Sequence, residues 1–419
     1  MSKLKVENFG PITTGFAEED GFMDFQKVTV FIGNQGSGKS SIAKLFSTMS
    51  WLEKALFQGR VTEKYVTSYN RFANLYCAYQ NLKNYFRADT YIEYRGKTGV
   101  LTYQHKKLTI NLYKENAGYQ IPKIMYVPAE RNFLSAVDEP DRLKGLPSPL
   151  LEFWEEMRRA QREITTEGWQ LPVGGVRFDY DKSNKIPWIS GKTAGKISFK
   201  LRLSEASSGF QSLVPLLLVS RNLSSAIHKE HDASRSELSA VERRRLRERI
   251  DTILQADYPL EVQQEILESL AASFRRETFL NVVEEPEQNL FPTSQRAVLY
   301  ELLRYANTTP GNELVITTHS PYILNYLTLA IQADEVKQTI QAAPHHGKLD
   351  QRLEAIVPPA ATLAAEQAVV YALNSAGTIT RLPMDGGIPS DDNDLNNALG
   401  EANASFSDLL EIELAADNA

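Results

Sequence analysis

Between Lys3 and Asn8 apolar and polar residues alternate, the period-two signature of a strand with one buried face, and a Gly10-Pro11 turn follows. From Lys27 to Ile32 a second apolar strand runs directly into a glycine-rich loop. Behind that loop, Ser41 to Phe57 places apolar residues at three- and four-residue spacing and stops at Gly59, which predicts a helix. Residues 61–89 read as helical and aromatic-rich, and Thr90 to Tyr113 alternates like an antiparallel meander with turn signals at Arg95-Gly96 and His105-Lys106-Lys107. Lys123 to Pro128 predicts a short buried strand that delivers Ala129-Glu130-Arg131-Asn132 to a sheet end. An amphipathic helix is expected over Pro149 to Ile164, an antiparallel segment over Val173 to Leu203, and two or three helices over Ser212 to Arg276. Thr278 to Val283 and Glu313 to Thr318 read as buried strands flanking a helix from Ser294 to Tyr305.

Buried strands that alternate with helices imply an α/β fold with a mainly parallel sheet, helices on its faces and antiparallel meanders as decoration. The expected organisation is a domain over residues 1–340 with a helical insertion at about 213–277, and a small acidic segment over 341–419 packed on it. Within that last part, Leu363 to Leu373 is apolar, Thr378 to Leu382 reads as a strand, and Ser407 to Leu414 as an acidic helix.

Composition narrows the class. With 419 residues, 42% of them apolar, the chain can bury a substantial core. The longest apolar run, around Leu213 to Ser220, is interrupted by Pro215 and falls far short of the ~20 residues that cross a bilayer. The charged N-terminus does not read as a signal peptide, so the expectation is a cytoplasmic protein with no membrane association. Cys77 is the single cysteine, which excludes an intramolecular disulfide and predicts a buried packing residue. The net charge of −6 argues against a wholly basic surface that coats nucleic acid, and after Arg381 there is no Lys or Arg at all.

The chemistry sits at the strand ends. Gly33-Asn34-Gln35-Gly36-Ser37-Gly38-Lys39-Ser40 fits G-x-x-x-x-G-K-[ST] in full, with the strand before it and the helix after it that this phosphate-binding loop requires. Backbone N–H groups of the loop and of the helix start, including Ser41, would wrap the phosphates of ATP. Lys39 would reach the β- and γ-phosphates, and Ser40 would ligate Mg²⁺. The strand Phe279 to Val283 ends in Glu284-Glu285-Pro286-Glu287, which puts adjacent carboxylates at the carboxyl end of a buried strand, where α/β sheets bind ligands. There Glu284 would hold Mg²⁺, directly or through water, and Glu285 would orient and deprotonate the attacking water. A solvated acidic loop is the alternative for this run.

At these residues the chain resembles a known family. Val282-Val283-Glu284-Glu285-Pro286-Glu287-Gln288-Asn289-Leu290-Phe291-Pro292, then Val315-Ile316-Thr317-Thr318-His319-Ser320-Pro321-Tyr322, with the phosphate loop upstream, is similar to the ABC-type ATPases of the SMC, RecF and OLD lineage. The resemblance covers residues 1 to about 325 and implies a P-loop ATPase head. It implies that His319 is the switch histidine that senses the γ-phosphate, and that Asn289 lies in a loop facing the opposing protomer. Ser207-Ser208-Gly209-Phe210-Gln211 looks like a divergent signature motif, with Phe210 where a second glycine is usual. Its Ser207, Ser208, Gly209 and Gln211 would then complete the partner's ATP site, a plain helix cap being the alternative. Ala129-Glu130-Arg131-Asn132 stands where a magnesium-binding glutamine is usual but has none, and is expected to face phosphate or water.

No long coiled coil lies between that loop and the signature. Asp392-Asn393-Asp394 has the spacing of a Toprim nuclease motif without a buried strand before it, so no nuclease is expected. The resemblance therefore implies a homo-oligomer of head-to-tail dimers that controls a separate effector, nuclease or toxin, as in bacterial antiphage systems of the PARIS and Septu type. Two alternatives stay open. One is a RecF-like repair ATPase that uses Arg243 to Arg249 on duplex DNA, a stretch whose flanking Glu237, Glu242 and Glu248 equally fit a solvated helix. The other is a transporter motor.

Overall fold

The computed structural model describes residues 1–114, 118–137, 142–193, 196–232, 276–341 and 347–417, with isolated positions at 247, 250, 255 and 259. Apart from Arg247, the expected arginine-rich stretch, and most of the insertion beyond residue 232, lie outside the described residues.

The chain opens with β1 (Ser2–Phe9), β2 (Gly15–Phe16), β3 (Met23–Phe25) and β4 (Val28–Gly33), then α1 (Lys39–Phe57) and α2 (Glu63–Thr67). Residues 68–85 form 3₁₀ and π turns rather than the regular helix that the sequence suggests, with Tyr69 and Asn70 at positive φ breaking the run. The meander follows as β5 (Phe86–Arg95), β6 (Gly99–Gln104) and β7 (Lys107–Leu112), then β8 (Pro122–Val127), α3 (Phe133–Ala136) and α4 (Ser148–Arg162). Next come β9 (Trp169–Gln170), β10 (Val176–Asp181), β11 (Ile186–Thr193), β12 (Lys196–Arg202) and α5 (Ser208–Asp232). The last third holds β13 (Thr278–Glu284), α6 (Pro292–Asn307), β14 (Glu313–Thr318), α7 (Pro321–Gln341), α8 (Gly347–Glu354), β15 (Ala368–Leu373), β16 (Thr378–Arg381), β17 (Met384–Asp385), β18 (Ile388–Pro389) and α9 (Asp394–Asp417).

A seven-stranded sheet in the order β2-β16-β15-β4-β14-β13-β8 organises the molecule. From β15 to β8 every neighbouring pair is parallel, while β16 is antiparallel to β15. Its central strands are buried on both faces, and the period of two divides their side chains between two cores. Val28, Val30, Ile32, Val283 and Ile316 pack on one side with α4 to α7. Phe31, Val282, Val315, Val369 and Tyr371 pack on the other, with α1 and the antiparallel sheet β3-β1-β5-β6-β7. Cys77 is fully buried in that second core.

The expected boundary at residue 340 does not describe this sheet. Strand β15 pairs with β4 along its whole length, Ala368 with Val28 through Leu373 with Gly33, so the chain after 341 supplies a strand beside the glycine-rich loop. The Tyr371 hydroxyl fixes it further, donating to the Asp24 carbonyl at 3.1 Å while accepting from the Asp24 N–H at 2.8 Å. The Asp392-Asn393-Asp394 turn caps α9, where the Asn393 side chain accepts from the Leu395 and Asn396 N–H groups at 3.2 Å. No described helix is long and apolar enough to cross a membrane.

Candidate functional site

Because β4, β14, β13 and β8 are parallel neighbours, their carboxyl ends open on one edge of the sheet. The register is tight there: Thr318 lies beside Ile32 and Glu284 beside Thr317. Gly33 to Ser40 leaves β4, Glu284 to Glu287 leaves β13, His319 leaves β14, and Ala129 to Asn132 leaves β8. The sheet thereby gathers segments that are about 35 to 285 residues apart in sequence at a switch-point crevice.

The loop needs its glycines at defined places. Gly33 has φ +137°, and an added Cβ would lie 2.1 Å from the Leu373 carbonyl oxygen of β15, so no side chain fits. Asn34, Gln35 and Gly36 are exposed, and Ser37, Gly38 and Lys39 are buried at the start of α1. The Lys39 ammonium folds back onto the Gly33 and Asn34 carbonyls, donating at 2.7 and 2.8 Å, and stands 3.4 Å from His319 Nδ1. Burial lowers its pKa to about 8 against the opposing pull of Glu285 and Glu287.

Glu285 adopts a left-handed backbone, φ +43°, a conformation that costs a non-glycine residue roughly 1–3 kcal/mol and persists only where the surroundings impose it. Two contacts impose it here: its N–H donates to the Thr317 carbonyl at 2.8 Å, and its own carbonyl accepts from Arg131 at 2.7 Å. Its carboxylate comes within 3.5 Å of His319 Nε2, and that imidazole holds its pKa below the usual carboxylate range.

Glu284 is 3% exposed, and its Oε2 accepts from the Ala129 N–H at 3.3 Å. Its Oε1 has no hydrogen-bond partner and lies 3.8 Å from the Lys44 ammonium, and the buried Ser37 hydroxyl also lacks a partner. Orphaned buried oxygens beside a phosphate loop suit a Mg²⁺–phosphate group held by Ser40 and Glu284, since magnesium typically takes one or two protein oxygens and completes its shell with phosphate and water. Among the described residues no cluster of three or more His, Cys, Asp or Glu forms a protein cage for a metal.

Two residues outside the expected set hold this edge together. The Glu287 carboxylate is buried, accepts at 2.8 Å from both the Thr318 hydroxyl and the His319 N–H, and so fixes the backbone that presents the imidazole. Burial raises its pKa. Arg131 is wholly buried, so within the turn expected to face phosphate or water this side chain points inward, while Glu130 is exposed. Its guanidinium donates to the carbonyls of Glu284 and Glu285 at 2.7 Å, Ser212 at 3.1 Å and Pro128 at 3.2 Å. The third glutamate of Glu-Glu-Pro-Glu was visible as a motif position. Nothing in the local pattern marks Arg131 as a buried cation.

Ser207 and Ser208 are exposed at the start of α5. Gly209 abuts the neighbouring turn, where an added Cβ would stand 2.9 Å from the Asn289 carbonyl oxygen, so the signature-like segment and Asn289 share one surface. The Gln211 amide donates to the Ser204 and Ala206 carbonyls, both at 3.0 Å, and is spent on its own loop. Phe210 packs against the helical core.

No protein-family model matches the chain, and no curated protein matches it. Among solved structures, an SMC head bound to the C-terminal winged-helix domain of ScpA shares 13% identity, with 77% of this chain and 90% of that chain covered and a TM-score of 0.37. The SMC head domain from Thermotoga maritima shares 12%, with 77% and 90% covered and a TM-score of 0.33. An SMC head with an extended coiled coil, bound to the C-terminal domain of ScpA and derived from Pyrococcus furiosus, shares 11%, with 78% and 92% covered and a TM-score of 0.30.

Proposed function

We propose that the protein binds and hydrolyses ATP as an ABC-type switch. The observation that carries this is the convergence of Lys39, Glu284, Glu285 and His319 on the carboxyl ends of adjacent parallel strands, with Lys39 and Glu285 each within 3.5 Å of the imidazole. Arriving phosphates take the Lys39 ammonium from the Gly33 and Asn34 carbonyls. Ser40 and Glu284 would hold Mg²⁺, which would supply charge neutralisation to the phosphate oxygens. Glu285, ionised at neutral pH, accepts the proton of the water whose oxygen bonds to the γ-phosphorus while the bond to the bridging oxygen breaks and ADP leaves, and His319 moves off Glu285 to contact the γ-phosphate. Release from the imidazole returns the carboxylate toward its ordinary, higher proton affinity.

Exposed Ser207 and Ser208, with half-buried Gly209 beside Asn289, complete the ATP site of a second protomer, so that two heads close over two nucleotides. Hydrolysis then separates them. On this reading the switch controls a separate effector, a nuclease or toxin in an antiphage setting, as the resemblance of the Glu284 to Pro292 and His319 motifs implies. Purified wild-type and Glu285→Gln protein with MgATP test the reading. Hydrolysis by the wild type, and an ATP-dependent dimer trapped by the variant, are expected. The reading is refuted if no ATP is hydrolysed and no ATP-dependent assembly forms with either protein.

A further inference from the structure

The π turn Phe72–Cys77 and the residues just after it border a cavity of about 660 Å³ together with α1 and α4. That volume falls within the range of about 300–1,000 Å³ common for small-molecule sites, and single π turns frequently mark functional positions. Its aromatic walls are Trp51 of α1, whose ring centroid is 5.7 Å from that of Tyr76, and Tyr79. Helix α4 contributes the exposed carboxylates of Glu152 and Glu155. The Tyr79 hydroxyl donates to Glu152 Oε2 at 2.6 Å, which fixes that carboxylate beside the ring and leaves Oε1 for another donor. Among the described residues Glu155 has no ion-pair partner. Gln80 lines the same cavity, is 6% exposed, and has an Oε1 without a hydrogen-bond partner.

These groups call for one kind of occupant. Two carboxylates, a buried acceptor without a donor and three aromatic faces all favour hydrogen-bond donors that carry positive charge. The terminal torsion of glutamine is soft, so the Gln80 amide turns its oxygen toward such a donor at little cost. Among the described residues no Lys or Arg lines this cavity. Arg60, which stands outside it, already holds its guanidinium 5.9 Å from the Trp51 ring, the same preference met from within the chain. A neighbouring cavity of about 540 Å³ shares Gln80 but also holds Lys44, whose charge repels a cation. An anion is disfavoured in the first cavity by its two carboxylates, and a wholly apolar ligand would leave Gln80 unserved.

We infer that this cavity binds a small organic cation, an ammonium, amidinium or guanidinium group on an apolar stem. The charged group is held among Glu152, Glu155 and Gln80, and the stem lies against Trp51, Tyr76 and Tyr79. None of Gly33 to Ser40, Glu284, Glu285 or His319 lines the cavity, so the site stands or falls independently of the nucleotide reading above.

Calorimetric titration of the full chain without nucleotide tests it, in about 50 mM salt, where exposed carboxylates are weakly screened. The probes are benzamidine and agmatine, with benzamide as the neutral isostere of benzamidine. Both cations should bind saturably, and benzamidine about ten-fold or more tighter than benzamide. Glu152→Gln with Glu155→Gln should weaken both cations by about ten-fold or more while leaving benzamide unchanged. Tyr79→Ala, which removes an exposed ring, should weaken all three probes. A blocked tripeptide with a central arginine separates the sources of the same chemistry: tighter binding than agmatine assigns the site to an arginine side chain of a protein, and weaker binding assigns it to a free molecule. No saturation by either cation at about 10 mM, benzamide as tight as benzamidine, or cation binding untouched by the double glutamine variant would overturn the inference. Circular dichroism and thermal melts of each variant check the fold, which these exposed substitutions should leave intact.

Discussion

Replacing Arg131 by methionine removes a buried cation whose four acceptors are all main-chain carbonyls. Two of the contacts are short, at 2.7 Å to Glu284 and Glu285, and hydrogen bonds from a charged donor contribute about 1.5–3 kcal/mol each. The two at 3.1 and 3.2 Å count for less. Methionine fills most of the volume and spares the cost of burying a charge, which offsets part of the loss. The expected destabilisation is therefore about 3 kcal/mol, read as a lower midpoint in urea at unchanged slope. The variant should also release Glu285 from its left-handed backbone. A displacement of about 1 Å at a reacting group can cost on the order of 10²-fold, so ATP turnover should fall by about that factor. ATP binding should persist, because Lys39 and the loop glycines are untouched. A loss below about 1 kcal/mol, or turnover that tracks the wild type, would refute the argument that Arg131 holds Glu285 in place.

Glu285→Gln should lower turnover by about 10²–10⁴-fold with ATP affinity retained, as expected for loss of a general base, and equal loss of binding in titrations would argue against that role. Lys39 has a pKa of about 8 in the unliganded protein, and phosphates should raise it. ATP binding should therefore take up a proton near pH 8 and weaken above it, visible as a buffer-dependent heat in calorimetry, and a heat independent of buffer would contradict this. Glu287→Ala leaves the Thr318 hydroxyl and the His319 N–H without an acceptor and should cost about 1–3 kcal/mol, whereas Glu287→Gln keeps an acceptor oxygen and should lose less; equal losses in urea melts would count against this role. Gly33→Ala would force a Cβ against the Leu373 carbonyl and should separate β15 from β4, lowering stability by several kcal/mol, and a thermal melt like the wild type's would exclude that clash.

Much of the fold was legible because the central strands are buried on both faces. Val28 to Ile32, Thr278 to Val283 and Glu313 to Thr318 read as near-continuous apolar runs, and each ends on a residue of the site. Their order in the sheet was not legible, because pairing depends on contacts hundreds of residues apart. Strand β15 shows this most clearly. Its apolar run was visible, yet nothing local placed it beside β4 rather than in an appended segment. The turns over 68–85 read as helix because their spacing is helical, while the positive φ of Tyr69 and Asn70 has no glycine to announce it. Within the site, Lys39, Glu284 and Glu285 followed from motif spacing. Arg131 and Glu287 did not, since a buried cation or carboxylate is set by the groups that surround it.

Those two residues explain how a strained carboxylate can stand at the end of a strand. Glu287 ties β13's following turn to the end of β14 through Thr318 and His319. Arg131 ties the turn after β8 to the end of β13 and to the first turns of α5 through Ser212. The same helix begins at Ser208, so the exposed signature-like segment and the Glu285 carbonyl are joined by one guanidinium. A shift of α5 that broke the Ser212 contact would leave the other three carbonyls to hold Arg131, and the left-handed backbone at Glu285 would lose part of its restraint. In Arg131→Lys a single ammonium cannot span the carbonyls of Pro128, Ser212, Glu284 and Glu285 with a planar fork. Stability should recover partly relative to methionine while turnover stays low. Full recovery of turnover with lysine would show that the charge alone, and not the geometry of the fork, sets the position of Glu285.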